Sequence, residues 1–146
     1  MNSQPAGAFV SDTSDGPTVV PIASSADIVV ARQRGRALAA RLGFSGSDQT
    51  VIAAAISELA RNIIEYAVEG AIVISAVEHA GRMGIDILAR DTGPGIPDVA
   101  KALEAGYSTG PGLGVGLPGV RRLMDEFEIS SRPGEGTQVT VRKWLP

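Results

Sequence analysis

From Asp91 to Glu126 the chain reads DTGPGIPDVAKALEAGYSTGPGLGVGLPGVRRLMDE, and no single regular element can absorb it. Gly110, Gly112, Gly114 and Gly116 alternate with other residues and lead into a stretch of helical spacing. Glycine carries no Cβ, so its backbone can turn at positive φ or pass close to another group. The run begins where an alternating strand ends and finishes as a helix. Whatever the fold, a long irregular connection must therefore be anchored by a sheet at one end and a helix at the other. A glycine-rich approach to a helix N-terminus presents free N–H groups, and the helix dipole there favours negative charge. The run thus reads either as an anion-binding loop or as a plain surface loop, and a lone GxGxG pattern does not separate the two.

Composition narrows the classes. A chain of 146 residues with 44% hydrophobic and 20% charged residues suits one domain with one core. A net charge of -3 argues against nucleic acid as a bulk partner. The absence of cysteine excludes disulfides, thiolate chemistry and Cys-based metal sites, and a single histidine gives no basis for a zinc cluster. No apolar run has the length of a membrane span, and the first residues lack a basic segment followed by an apolar one. A cytoplasmic protein that does not engage membranes is the resulting expectation.

Along the chain, residues 1–17 are rich in Ser, Gly, Pro and Asp and read as a flexible tail, leaving 18–146 as the domain. TVVPIAS, 18–24, has strand character, with Pro21 arguing for an edge. Ser24 or Ser25 caps a helix over about Ala26–Leu42, with Val30, Leu38 and Leu42 near one stripe and Arg32, Arg34, Arg36 and Arg41 around it. Gly43 ends it. SGSDQTVIAAAISELARNIIEYAVEG is a second helix, with Ile52, Ile56, Leu59, Ile63 and Ala67 as its core stripe. Strands follow at 71–78 and 83–91, joined by a turn at His79–Arg82. A short helix over Pro97–Ala105, with Asp98 near its start, precedes a lid at Gly106–Pro111. A last helix runs from Leu117 to Phe127, with Pro118 tolerated in its first turn. FEISS, the turn RPGEG and TQVTVRKW form a hairpin in which Trp144 packs. Sequential strand pairs point to a mixed sheet with helices on one face, an α/β class two-layer sandwich.

Three positions carry candidate chemistry. Glu58 and Asn62 are four apart on the second helix and so share a face. They are either an incidental surface pair or the wall of a site, in which the amide oxygen ligates a hard cation and the carboxylate accepts a proton. Asn is a poor mid-helix residue, so its position there asks for a reason. Asp91 ends a strand immediately before TGPG. It either closes an Asx-turn on its own backbone or accepts a hydrogen bond from a ligand amine. Asp86 reads as a solvent or edge position or as lining a cavity, and His79 as an exposed side chain without a chemical role.

ELARN at 58–62, DTGPGI at 91–96 and GYSTGPGLGVGLPGVRRLMDEFEISS at 106–131 resemble the ATP-binding boxes of the gyrase, Hsp90, histidine-kinase and MutL superfamily. Within it the chain is most similar to the small anti-sigma-factor-type serine kinases, over about residues 18–146. The glycine run then resembles that superfamily's lid and second glycine box, since GxxxxGK[ST] is absent. The resemblance implies that Asn62 holds Mg²⁺ on ATP, that Glu58 activates the attacking hydroxyl and that Asp91 accepts from the adenine amino group. Gly93 and Gly95 would let backbone pass beneath the base. Gly110, Gly112, Gly114 and Gly116 would close over the phosphates, and Thr137 would reach a water near adenine. Arg61 has a donor fork suited to phosphate, or equally to a partner protein. The implied activity is a serine/threonine protein kinase that also switches partners: STAS-domain antagonists and co-antagonists of a stressosome, and a PP2C-type phosphatase. A homodimer is compatible with it. A non-catalytic ATP-binding adaptor, or a histidine-kinase catalytic domain acting in trans, is the alternative.

Overall fold

The computed structural model describes residues 10–11, 16–67, 69–95, 103 and 116–146. Their elements run β1 (Val10–Ser11), β2 (Thr18–Ile22), α1 (Ser25–Leu42), α2 (Gly46–Ala67), β3 (Gly70–His79), β4 (Arg82–Asp91), α3 (Gly116–Leu123), β5 (Glu126–Arg132) and β6 (Gly136–Trp144). Six strands form one sheet in the order β1-β3-β4-β6-β5, with β2 also paired to β3. β1 and β2 share one edge of β3, so Pro21, opposite Ala71, sits in an edge strand as expected. The sequence gives no signal for β1, which lies within the expected tail and pairs with Val77 and Glu78.

Every described pairing is antiparallel, which corrects the expectation of a mixed sheet. The reason is chain direction. Two antiparallel helices separate β2 from β3, so the chain returns reversed, where one helix would have brought it back parallel. β3 and β4 are joined by a tight turn in which Ala80 and Gly81 both have positive φ (54° and 78°), as a two-residue hairpin loop demands. β4 and β5 do run the same way, but β6 lies between them.

The core lies between the sheet and α1–α2–α3. Ile52, Ile56, Leu59 and Ile63 of α2 meet Ile72 and Ile74 of β3, Ile85 and Ile87 of β4, and Val139 and Val141 of β6 in one buried cluster. Leu117, Val120 and Met124 close its far side. The last helix ends at Leu123, earlier than its spacing predicts. The sheet claims the next residues: the Asp125 N–H donates to the Arg142 carbonyl at 2.9 Å, and its carboxylate accepts from the Trp144 N–H at 2.8 Å. Trp144 packs its ring over Gly84, where a Cβ would collide with it.

The stripe expected on α1 holds in part: Leu38 and Leu42 pack against the core, but Val30 is 41% exposed, whereas Ala31, Gly35 and Ala39 are buried. These are the smallest side chains of the helix, and their i, i+4, i+8 spacing makes a smooth ridge that lets α1 approach α2 closely. A Cβ on Gly35 would run into Cδ1 of Ile56. Hydrophobicity does not mark such a ridge, because what matters there is the lack of bulk. Gly35→Leu should therefore lower the unfolding free energy by roughly 1–3 kcal/mol in urea titration. Ala40→Leu, on the exposed side of the same helix, should stay within about 0.5 kcal/mol of the parent. Equal midpoints for the two variants would refute a tight α1–α2 contact.

Candidate functional site

α2 brings the first group. Because Leu59 and Ile63 are driven into the core, the neighbouring positions Glu58 and Asn62 come to lie at its margin, one turn apart. Asn62 faces a recess floored by Leu59, Ile63, Ala89 and Val139 and edged by Tyr66, Asp91, Gly95 and Thr137. Its amide is half-buried and has no hydrogen-bond partner among the described residues. Glu58 lies one turn before Asn62, with its side chain 14% exposed. Its Oε2 is 3.1 Å from Nη1 of Arg61, and its Oε1 accepts from the Gly116 N–H at 3.3 Å.

The second group is Asp91, last residue of β4, held between Gly70 of β3 and Thr137 of β6. Its Oδ1 accepts from the Gly93 N–H at 2.9 Å and from the Thr137 N–H at 3.3 Å. The first bond is the Asx-turn. The second ties the carboxylate to β6, so the side chain is fixed from two directions while still bordering the recess. Both readings of Asp91 are thus compatible, because one oxygen serves the backbone and Oδ2 has no described partner.

The backbone around Asp91 is unusually close. Gly136 has φ 92°, and a Cβ there would collide with the Asp91 carbonyl oxygen. Gly95 has φ 82°, and its Cβ would strike the Arg132 carbonyl. The two loops are stitched by the Gly134 N–H, which donates to the Pro94 carbonyl at 2.7 Å. Thr137 is held through its hydroxyl as well, 2.8 Å from that of Ser131.

The structure therefore gathers Asn62, Asp91, Gly95 and Thr137 around one recess, with Gly93 supporting Asp91 from behind and Glu58 joined to Gly116. Gly110, Gly112 and Gly114 lie outside the described residues. So do the helix expected over Pro97–Ala105 and the lid at Gly106–Pro111, apart from Leu103, which packs against the core. Asp86 is neither a solvent nor an edge residue: it stands mid-sheet, with Nε of Arg142 2.7 Å from its Oδ1. Burial pushes its carboxyl above the usual range while Arg142 draws it back. Sequence reasoning missed Tyr66, one turn beyond Asn62, and Gly136, whose signal was only its place before a strand.

The residues present suit a particular kind of ligand. An apolar floor ending in a fixed carboxylate acceptor fits a flat heterocycle that offers an amino donor. Among the described residues no three acidic or histidine side chains cluster as a metal cage. A divalent cation held by Asn62 would take its other ligands from phosphate and water, which is how Mg²⁺ is commonly bound.

Comparison with known proteins shows the family of the chain. Residues 22–143 match the Histidine kinase-like ATPase domain family. The chain is 56% identical over 126 residues to the serine/threonine-protein kinase RsbT of Bacillus subtilis, covering 86% of this chain and 95% of that protein. It is 32% identical over 115 residues to the anti-sigma F factor of Thermoanaerobacter sp. (strain X514), covering 75% and 79%. Among solved structures, the mycobacterial sensor histidine kinase MprB aligns with a TM-score of 0.53 at 14% identity, covering 88% of this chain and 95% of that one. That last likeness concerns the fold.

Proposed function

The chain belongs to the histidine kinase-like ATPase domain family, in the group of RsbT, and on that premise we propose that it is a protein serine/threonine kinase and partner switch using Mg²⁺-ATP. The observation that carries this reading is the recess itself. It offers an apolar floor, a carboxylate with one oxygen spoken for and the other open, and an amide oxygen on the opposite wall. Mg²⁺-ATP, when bound, supplies the phosphoryl group and neutralises its charge. Asp91 receives the exocyclic amine of adenine on Oδ2. Asn62 holds the cation through its amide oxygen. Gly93 and Gly95 let the backbone pass beneath the base, and Gly110, Gly112, Gly114 and Gly116 line the phosphates. Thr137 keeps Asp91 in place from β6. Glu58 takes the proton of an acceptor serine or threonine, a general-base role typically worth about 10²–10⁴-fold.

The acceptors on this reading are STAS-domain antagonist and co-antagonist proteins, assembled as a stressosome. Released kinase would activate a PP2C-type phosphatase, in the cytoplasm. The similarity to a serine/threonine kinase and to anti-sigma F factors supports exchange between protein partners.

The open oxygen of Asp91 gives a sharp test. In Asp91→Asn, the amide oxygen can still accept from Gly93 and Thr137, so the fold is kept. The NH₂ then occupies the place of Oδ2 and faces the adenine amino group, donor against donor. ATP affinity should fall by about 1–3 kcal/mol, or roughly 5- to 150-fold. Discrimination against GTP should also weaken, because guanine presents a carbonyl oxygen at that position. A second variant isolates the cation. Asn62→Ala should remove the Mg²⁺-dependent part of ATP affinity and leave adenosine binding untouched. Calorimetric titration with ATP, GTP and adenosine, with and without Mg²⁺, reads both. Unchanged ATP preference in the first variant, or unchanged Mg²⁺ dependence in the second, would remove that residue from the nucleotide site.

A further inference from the structure

The two oxygens of Glu58 are held unequally. Oε2 lies 3.1 Å from the guanidinium of Arg61, a charged donor one turn further along the same helix. Among the described residues Oε1 meets only the Gly116 N–H, at 3.3 Å, where the first residue of α3 approaches α2. Arg61 is 36% exposed at its side chain and Glu58 14%, so the pair lies at the rim of the site with the carboxylate innermost. An ion pair this exposed adds little to folding stability. Its effect is geometric, since a planar guanidinium restricts the rotation of the carboxylate it grips.

We propose that Arg61 is a positioning residue: it clamps Oε2 of Glu58 and so presents Oε1 as the oxygen that takes the proton. The proposal rests on the reading of Glu58 as the base. Oε1 already faces a donor in the gap between α2 and α3, so a hydroxyl entering that gap finds an acceptor aimed at it. The proton passes from the acceptor hydroxyl to Oε1 as the hydroxyl oxygen bonds the γ-phosphorus. The bond from phosphorus to the bridging oxygen breaks, and ADP leaves with its electron pair. Arg61 engages Glu58 through Nη1, and on this proposal that contact, not a grip on phosphate, is its contribution. This separates it from the other use its donor fork allows, a direct grip on the nucleotide.

The test compares parent, Arg61→Ala, Arg61→Lys, Glu58→Gln and the double variant Glu58→Gln/Arg61→Ala. Single-turnover transfer from radiolabelled ATP is measured to a purified STAS-domain acceptor, and to water in samples without acceptor. Mg²⁺-ATP affinity is measured alongside. Arg61→Ala should slow turnover by up to about 100-fold, the scale of a misplaced catalytic group, with ATP affinity unchanged. Arg61→Lys should recover part of the rate, and the double variant should be no slower than Glu58→Gln alone. Turnover of Arg61→Ala at the parent rate, a loss confined to ATP affinity, or a double variant slower by the full Arg61 factor would overturn the positioning role. Glu58→Gln at the parent rate would overturn the base reading and Arg61 with it, whereas a slow Glu58→Gln beside a normal Arg61→Ala refutes Arg61 alone.

Discussion

The burial of one stripe of α2 governs the rest of the molecule. Ile52, Ile56, Leu59 and Ile63 are at most 2% exposed, and each such side chain contributes about 1.5–3 kcal/mol by leaving water. That stripe sets the rotation of the helix over the sheet. Once Leu59 and Ile63 are committed inward, Glu58 and Asn62 can only lie at the border of the core, where the ends of β4 and β6 open a recess. The polar groups are thus placed by the apolar ones beside them. Their precision comes from packing, because a helix locked into a dense core cannot rotate by even part of a turn.

The sheet supplies the facing wall by a different device. Asp91 is the last paired residue of β4, and its carboxylate is pinned by N–H groups from its own turn and from the adjacent strand. Such pinning needs the start of β6 to pass almost against the Asp91 backbone, which only a residue without Cβ allows, and Gly136 stands there. One carboxylate then serves structure with one oxygen and leaves the other without a partner among the described residues. The division recurs at Glu58, where Arg61 engages one oxygen and leaves the second facing α3. In both cases a side chain that would otherwise sample several rotamers is held by its own neighbours before any ligand arrives, which is what preorganised binding requires.

Much of this was legible in the sequence, and the parts that were not share a physical cause. The α2 stripe was readable because large aliphatic residues recur at three and four. Asp91 was readable because a strand pattern stops at a carboxylate before TGPG. The α1–α2 contact was not, since Ala31, Gly35 and Ala39 act through small volume, and hydropathy pointed to the exposed Val30 instead. The strand direction depends on how many helices lie between strands; both helices before β3 were readable, but the strand pattern itself carries no direction. Gly136 was invisible as a site residue for a related reason, and Arg61, whose donor fork was readable, gave no sign of what it would grip. Their roles are defined by what they touch across the chain or along the helix, and local composition carries no trace of it. The resemblance to a kinase family named Glu58, Asn62 and Asp91 but left open what Arg61 pairs with; the coordinates answer that with a distance.

The central claim is that this recess transfers phosphate to a protein hydroxyl. The most direct measurement incubates the purified chain with radiolabelled ATP, Mg²⁺ and a STAS-domain protein, then challenges the labelled product with acid and with base before mapping the modified residue. The account predicts label on the STAS-domain protein that survives acid and maps to a serine or threonine. Label that is lost in acid and retained in base, or no label on any protein acceptor while ATP still binds, would contradict it.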